Sequence, residues 1–452
     1  MPSRENALLS RPPISLRAVL LAFATFCVTP ALTQAGRCGI RPVNYKGWSA
    51  QEIRNEWVRL TIVPKLGGRL MQVAFGPHEY LFVNKEYEGK YLPPLEPDAP
   101  AKWYNYGGDK IWPLPEGRHD DRHWPGPVAD ALDDGDYAFS IESHGTACRV
   151  RLDGPPDLRT GLQYSREISL QADSPKISFH AVMKNASEHA IEWSMQSVTQ
   201  YNTANPSGNE ASAEIWAFTP ANESSAFPGG YFVRSGKGTP PGLNIENGLV
   251  ALNYRFVESE LWFDTQRGWL AVVDAAAQYA MVERFRVQNG KEYPGKATAI
   301  FYTNGGEAPD GPLYYMEAEI NSPMARLEPG ATYAMDTEWY PTRAGKDVLE
   351  ATEAGVIARH LRVSNAVGTQ MLTGAFGVFF PGKIVARFLD KEGKQISGVK
   401  LRRVTPRELV KLEEKINVPK GANRLAVHLI GSHSEDYGLL DEVSVVPGGP
   451  GE

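Results

Sequence analysis

Trp57-Val58-Arg59-Leu60-Thr61-Ile62-Val63 is broken by Pro64-Lys65-Leu66-Gly67-Gly68 and resumed by Arg69-Leu70-Met71-Gln72-Val73-Ala74-Phe75. Gly76-Pro77 then turns the chain into Tyr80-Leu81-Phe82-Val83. The runs are rich in β-branched and aromatic residues, and the breaks carry Gly and Pro. That combination predicts an antiparallel meander rather than helices. The same texture recurs downstream. Strands are expected at 137–141, 148–152, 162–170, 176–184 and 191–200, and again at 261–264, 269–273, 297–302, 313–320 and 332–340. The stretch 202–250 is looser, with Pro206, Pro220 and Pro228-Gly229-Gly230. Evenly spaced strands over nearly three hundred residues predict an all-β architecture built as one very large sandwich.

The bulk composition agrees. The chain has 452 residues with Gly 43 and Pro 34, 42% hydrophobic and 10% aromatic residues, a turn-rich mixture with enough apolar side chains for a core. The length suits one large β domain plus a smaller one. A formal net charge of −6 gives no electrostatic basis for a nucleic-acid partner.

Composition shifts after Arg343. Val348, Ala351, Ala354 and Ile357 fall at helical spacing, so a linking helix is expected across 344–362. Strand-like runs follow at 377–380, 384–389, 411–418, 424–429 and 438–445. They predict a small β-sandwich over 363–452, behind a large domain over 36–343. At the other end, Arg4, Arg11 and Arg17 precede or flank an apolar run from Ala18 to Val28, followed by Thr33-Gln34-Ala35. This reads as a signal peptide over 1–35, cut after Ala35. The apolar run is short for a membrane span, and no later stretch is apolar enough. The expectation is a periplasmic or secreted, monomeric protein with no integral membrane segment after cleavage. Cys27 leaves with the signal. Cys38 and Cys148 remain, either as a disulfide, which an oxidising compartment permits, or as two separate thiols.

The chemistry concentrates in Trp103-Tyr104-Asn105-Tyr106-Gly107-Gly108-Asp109-Lys110-Ile111-Trp112-Pro113, with Trp124-Pro125 close behind. Aromatic faces stack on sugar rings, and Asn, Asp and Lys hydrogen-bond hydroxyls. Paired glycines let a backbone approach a ligand. A long ordered excursion of this kind often carries function. The alternative is an aromatic plug that seals one face of the sandwich. Two further clusters contain metal-ligating residue types. Arg118-His119-Asp120-Asp121-Arg122-His123 has zinc-like His spacing, but Pro and Gly surround it, so loop charge or a place along the cleft is favoured. Asp133-Asp134-Gly135-Asp136 lacks the spaced ligands of a calcium loop and reads as a tight turn. No metal and no cofactor is expected.

Three segments carry a family resemblance. Asn55 to Leu70, with its strand, glycine turn and second strand, resembles the opening hairpin of the galactose mutarotase-like (aldose 1-epimerase-like) superfamily. Asn105 to Pro113 is similar to the signature of one secreted bacterial branch. Met316-Glu317-Ala318-Glu319 with Leu327-Glu328-Pro329-Gly330 resembles the penultimate strand and turn. The resemblance covers about 45–343. It implies a β-supersandwich that handles carbohydrate. In aldose 1-epimerases a strand carboxylate acts as base and a His as acid. Glu317 matches the carboxylate, and Glu319 shares its face two residues on. The strand that would supply the His reads Trp193-Ser194-Met195-Gln196-Ser197-Val198-Thr199-Gln200-Tyr201, without one; His180 and His189 lie outside that stretch.

The expected catalytic residues are therefore Glu317 and Glu319. The expected substrate-binding residues are Trp103, Asn105, Asp109, Lys110, Trp112, Trp124, Arg69 and Gln196. Three functions stay open: an exported carbohydrate-binding protein, with or without activity on its ligand, an epimerase, lyase or hydrolase using Glu317 and Glu319, and a non-catalytic envelope scaffold.

Overall fold

The structure is a computed structural model, and it describes residues 36–95, 102–117, 122–308, 311–366 and 369–446. The expected signal peptide and part of the 118–123 cluster lie outside these residues. Among the described residues no helix is long and apolar enough to cross a membrane.

Two large antiparallel sheets dominate. The first runs Gly39–Tyr45, Trp48–Arg54, Val58–Val63, Arg69–Phe75, Asp109–Leu114, Ile191–Asn202, Tyr315–Asn321, Ala299–Thr303, Ser259–Phe263 and Phe232–Gly236 in spatial order, with two short strands off this path. The second runs Leu243–Glu246, Leu249–Asn253, Ile215–Pro220, Trp269–Asp274, Tyr279–Phe285, Thr332–Thr342, Ile177–Asn185, Leu162–Gln171, Ala147–Pro156 and Ala138–Ser143. The supersandwich is thus present, and the hairpin read first, Val58–Val63 with Arg69–Phe75, lies inside it.

The second sheet shows plain two-residue alternation. Ile177, Phe179, Ala181 and Met183 are buried while Ser178, His180 and Val182 are not, as expected for a sheet with one wet face. The central strands of the first sheet are different. Arg69–Phe75 and Tyr315–Asn321 are buried at every position. One face packs on the second sheet, contributing Met316, Ala318 and Ile320 to the shared core. Against the other face, Trp103 packs on Trp112 and Lys110, and Asp133 and Asp134 close over Arg69. This is why charged side chains on that outer face are buried.

The polar groups facing the second sheet are paired across it. Arg166 bridges to Asp109, Thr199 donates to Asp109 at 3.1 Å, and the Tyr201 hydroxyl donates to Glu283 Oε1 at 2.5 Å. Cys38 and Cys148 form a disulfide, with Cα atoms 5.9 Å apart.

The expected linking helix over 344–362 is replaced by strands. Glu350–Ala351 and Gly355–Ala366 make a hairpin with Glu350 opposite Ile357. The Thr352 hydroxyl accepts from the backbone N–H groups of Ala354 and Gly355, a side-chain turn that competes with helix. The β-branched Val356, Ile357 and Val363 beyond it suit a sheet. Two four-stranded sheets follow. One is Glu350–Ala351, Gly355–Ala366, Thr369–Val378 and Leu409–Ile416, and the other is Gln395–Val404, Gly382–Leu389, Arg424–Ile430 and Asp436–Ser444. They enclose their own core around Phe376, Phe388, Leu425 and Leu440.

Candidate functional site

Strand register assembles the site. On the outer face of the first sheet, Lys110, Val198, Glu319, Ile300 and Trp262 lie in one row across the strands. The neighbouring row holds Gln200, Glu317, Tyr302 and Glu260. Trp112 and Gln196 pair on the far side of the Lys110 row. Successive same-face positions are separated by about 7 Å along a strand. Residues from five strands, spread from position 110 to 319, are therefore gathered into one patch.

Glu317 is the hub. Its Oε1 accepts from Gln200 Nε2 at 2.7 Å and from Lys110 Nζ at 3.5 Å. Glu319 Oε2 accepts from Gln196 Nε2. Burial raises the pKa of Glu317, and Lys110 opposes the rise. Burial lowers that of Lys110, and Glu317 opposes it. Among the described residues Glu319 forms no ion pair. Burial, then the nearby charges of Glu317, Glu260 and Glu116, push it well above the usual carboxylate range. The two carboxyls thus sit in contrasting environments. Burial raises both carboxyls, but Lys110 opposes the rise at Glu317 first, while the charges of Glu317, Glu260 and Glu116 add to it at Glu319. Such pairs divide acid and base roles.

The patch has two walls. On one side Lys110 Nζ lies 4.4 Å from the Trp112 ring centre and 5.8 Å from that of Trp103, within cation–π reach. Three indole N–H groups are pinned to aspartates: Trp103 to Asp133 at 3.1 Å, Trp112 to Asp133 at 2.7 Å, and Trp124 to Asp130 at 2.6 Å. On the other side Arg234 bridges Glu116 at 2.5 Å and Glu260 at 3.1 Å, and Trp262 Nε1 donates to Glu260 at 2.7 Å. Glu116, Arg234 and Trp262 line a pocket of about 300 Å³ together with His123. Burial raises Glu116 to about 7 against the pull of Arg234.

The expected site residues divide. Lys110, Trp112, Gln196, Glu317 and Glu319 share the outer face, and half-buried Trp103 packs against Trp112. Asp109 does not join them. It points to the opposite face, into the core, where burial raises its pKa against the pull of Arg166. Alternation along Asp109–Leu114 requires this, because Lys110 faces out. Arg69 is wholly buried and bound to Asp133, Asp134 and the Gly107 carbonyl, so it is a structural cation rather than a cleft residue. Trp124 is fully buried, and Asn105 accepts from the Gly107 N–H in a turn.

The paired glycines serve the chain rather than a ligand. A Cβ on Gly107 (φ 91°) would lie 2.2 Å from the Phe82 carbonyl oxygen, and one on Gly108 (φ 75°) would lie 2.8 Å from that of Leu70. The turn expected at Asp133 to Asp136 lies two residues earlier, at 131–134, and Asp133 and Asp134 are buried in it. His180 sits on the second sheet, paired with Asp336 at 2.7 Å, away from the patch. Among the described residues no group of three or more His, Cys, Asp or Glu is placed to hold a metal.

Sequence reading missed Glu116, Arg234, Glu260 and Trp262. The available signal was Ser259-Glu260-Leu261-Trp262-Phe263, where a carboxylate and a Trp two apart interrupt an apolar strand.

The buried carboxyls carry a pH prediction. Asp130 is raised to about 7, mainly by burial and then by Asp157, Glu116 to about 7, and Glu283 to about 8, mainly by burial. A carboxyl raised on folding holds its proton longer in the native state. Its stabilisation is present below the unfolded pKa and is lost as pH rises through the folded one. His78, lowered to about 4 by burial, has the opposite sign, but only up to its unfolded value of about 6.5. The melting temperature is expected to fall between pH 5 and pH 8. Thermal melts check this, and a melting temperature equal or higher at pH 8 would mean the carboxyls are ionised in the fold.

No protein-family model matches the chain, and no curated protein matches it either. Solved structures do. A galactose mutarotase-like protein from Clostridium acetobutylicum is 12% identical, with a TM-score of 0.45, over 68% of this chain and 99% of that one. Another from Lactobacillus casei is 12% identical, with a TM-score of 0.44, over 67% and 100%. A TPR-domain-containing protein from Parabacteroides distasonis is 14% identical, with a TM-score of 0.45, over 69% of this chain. The chain spans 54% of that protein's length.

Proposed function

We propose that this is an exported carbohydrate-binding protein that acts on its ligand through Glu317 and Glu319. The observation that carries this reading is the arrangement on one sheet face: a buried Lys110–Glu317–Gln200 cluster beside a Gln196–Glu319 pair, walled by Trp103 and Trp112 on one side and Trp262 on the other. Aromatic faces beside fixed polar groups are what sugar recognition needs. The neighbouring carboxyls, one pushed well above the usual carboxylate range and one paired with a lysine, suit the roles of proton donor and proton acceptor. Epimerisation, elimination and hydrolysis all draw on such a pair. Export is supported by the charged and apolar pattern of residues 1–35 and by the Cys38–Cys148 disulfide, which suits an oxidising compartment. A periplasmic or secreted location follows from the same two features.

The test is a thermal-shift screen of sugars, since a ligand of the native state raises its melting temperature. It is run on the wild type, Trp103→Ala and Trp112→Ala. Trp103→Ala is expected to weaken sugar binding by about 1–3 kcal/mol, by analogy with base stacking, with little loss of stability. Trp112 is buried against Trp124 and bonded to Asp133, so Trp112→Ala is expected to cost about 3–5 kcal/mol of stability. If both variants melt early and the folded remainder binds sugar normally, the aromatic wall is a plug and the site lies elsewhere.

A further inference from the structure

The carboxylate rows do not end at Glu317. Two residues beyond Gln200 on the same strand and face is Asn202, opposite Tyr315. Asn202 is exposed and opens into a cleft of about 1100 Å³, which Phe82, Asn84, Lys85 and Tyr314 also line. The cleft therefore begins about 7 Å, one same-face step, from the row that holds Glu317. Phe82 stacks on Tyr315 with ring centres 5.0 Å apart, and Tyr315 lies 6.0 Å from Tyr302, the neighbour of Glu317 across the strands.

The cleft offers both hydrogen-bond donors and acceptors. Asn84 Oδ1 accepts from Glu86 N and Asn202 Oδ1 from Ala204 N. Both amide nitrogens are left without an acceptor among the described residues. Lys85 is exposed and has no ion pair among the described residues. Of the carboxylates lining it, Glu79 is paired with Arg59, Asp274 accepts from the Ala277 N–H, and exposed Glu86 has no ion pair among the described residues. Amide and ammonium donors beside aromatic rings match the oxygen acceptors and C–H faces of sugar units. On the opposite side of the carboxyls the pocket of Glu116, Arg234 and Trp262 holds only about 300 Å³. Pockets of about 300–1,000 Å³ hold ligands of drug size, so the small pocket suits a single unit and the cleft suits several.

Resting on the carbohydrate reading above, the geometry points to an oligosaccharide as the ligand. A terminal unit sits in the Trp262 pocket, the linkage lies over Glu317 and Glu319, and the rest of the chain runs over Asn202 into the Lys85–Tyr314 cleft. The cleft is a set of further subsites that sets chain-length preference.

The experiment is isothermal titration of the whole chain with glucose, xylose, mannose and galactose. Each is used as the monosaccharide and as its homologous oligomers up to the hexasaccharide. For the sugar that binds, affinity is expected to rise by about tenfold or more between the monosaccharide and the longer oligomers, the size of one good stacking contact. Lys85→Ala, a surface change that cannot unfold the chain, and Tyr314→Ala are each expected to cancel most of that gain. A flat length series with monosaccharide binding intact overturns the oligosaccharide assignment and leaves the carbohydrate reading standing. A length gain that survives in both variants places the extra contacts outside the cleft and overturns it too. Failure of every sugar to bind removes the carbohydrate reading itself.

Discussion

Arg69→Met is expected to destabilise the protein by about 3–5 kcal/mol, the usual cost of removing one partner of a buried ion pair. Arg69 is wholly buried. Its Nη2 donates to the Asp133 carbonyl at 3.0 Å and carboxylate at 2.9 Å and reaches Asp134 at 3.5 Å, while Nη1 donates to the Gly107 carbonyl at 3.0 Å. Methionine fills much of the volume and supplies none of these donors. Asp134 is already pushed well above the carboxylate range, by burial first and Asp133 second, so protonation relieves part of the cost there. Among the described residues the Asp133 carboxylate then keeps the indole donors of Trp103 and Trp112. Denaturant unfolding followed by tryptophan fluorescence measures the change, and it also reports whether those two rings lose their anchor. A loss below about 1 kcal/mol, the scale of a surface pair, would mean that the aspartates do not depend on this cation.

Glu317→Gln is expected, on the proposed reading, to lower turnover of a sugar substrate by about 10²–10⁴-fold, the range for loss of a general acid or base. Sugar binding should change modestly, because glutamine keeps the shape and one acceptor. The matched variant is Glu319→Gln. Glu319 is raised well above the carboxylate range, so activity that needs its proton is present at lower pH and is lost as pH rises through its pKa. Glu319→Gln should lower the rate and also remove that alkaline limb of the pH–rate profile. Melting temperatures of both variants keep a folding defect apart from a chemical one, since Glu317→Gln leaves Lys110 buried without its counter-charge. Undiminished turnover in Glu317→Gln would take the base role away from this carboxyl.

The difference between the Glu317 and Asp109 assignments shows what a linear reading reaches. Glu317 and Glu319 were legible as a pair because a strand places alternate residues on one face, and that rule is local. The rule also says that Asp109 and Lys110 face opposite ways, but it cannot say which face is the core. Only the pairing of Asp109–Leu114 between Arg69–Phe75 and Ile191–Asn202 settles that, by setting Asp109 against Arg166 of the other sheet. The same holds for the glycine pair at 107 and 108. Its freedom of backbone was evident, but the obstacles are the carbonyls of Phe82 and Leu70, more than twenty residues away. Helical spacing at Val348, Ala351, Ala354 and Ile357 misled because those positions are buried for another reason, a hairpin closed by Thr352.

By itself the sequence determined the all-β architecture, the meander at its start, and the strand that carries Glu317 and Glu319. These follow from residue preferences and two-residue periodicity, which act over a few neighbours. Tertiary structure alone decided that Arg69 is sequestered by Asp133 and Asp134, that the tryptophans hang on aspartates from the following turn, and that Glu116, Arg234, Glu260 and Trp262 complete the site. The physical reason is that burial and charge pairing are set by which strands lie side by side. Glu260 is 57 residues from Glu317 in the chain, yet it lies in the same row of the sheet.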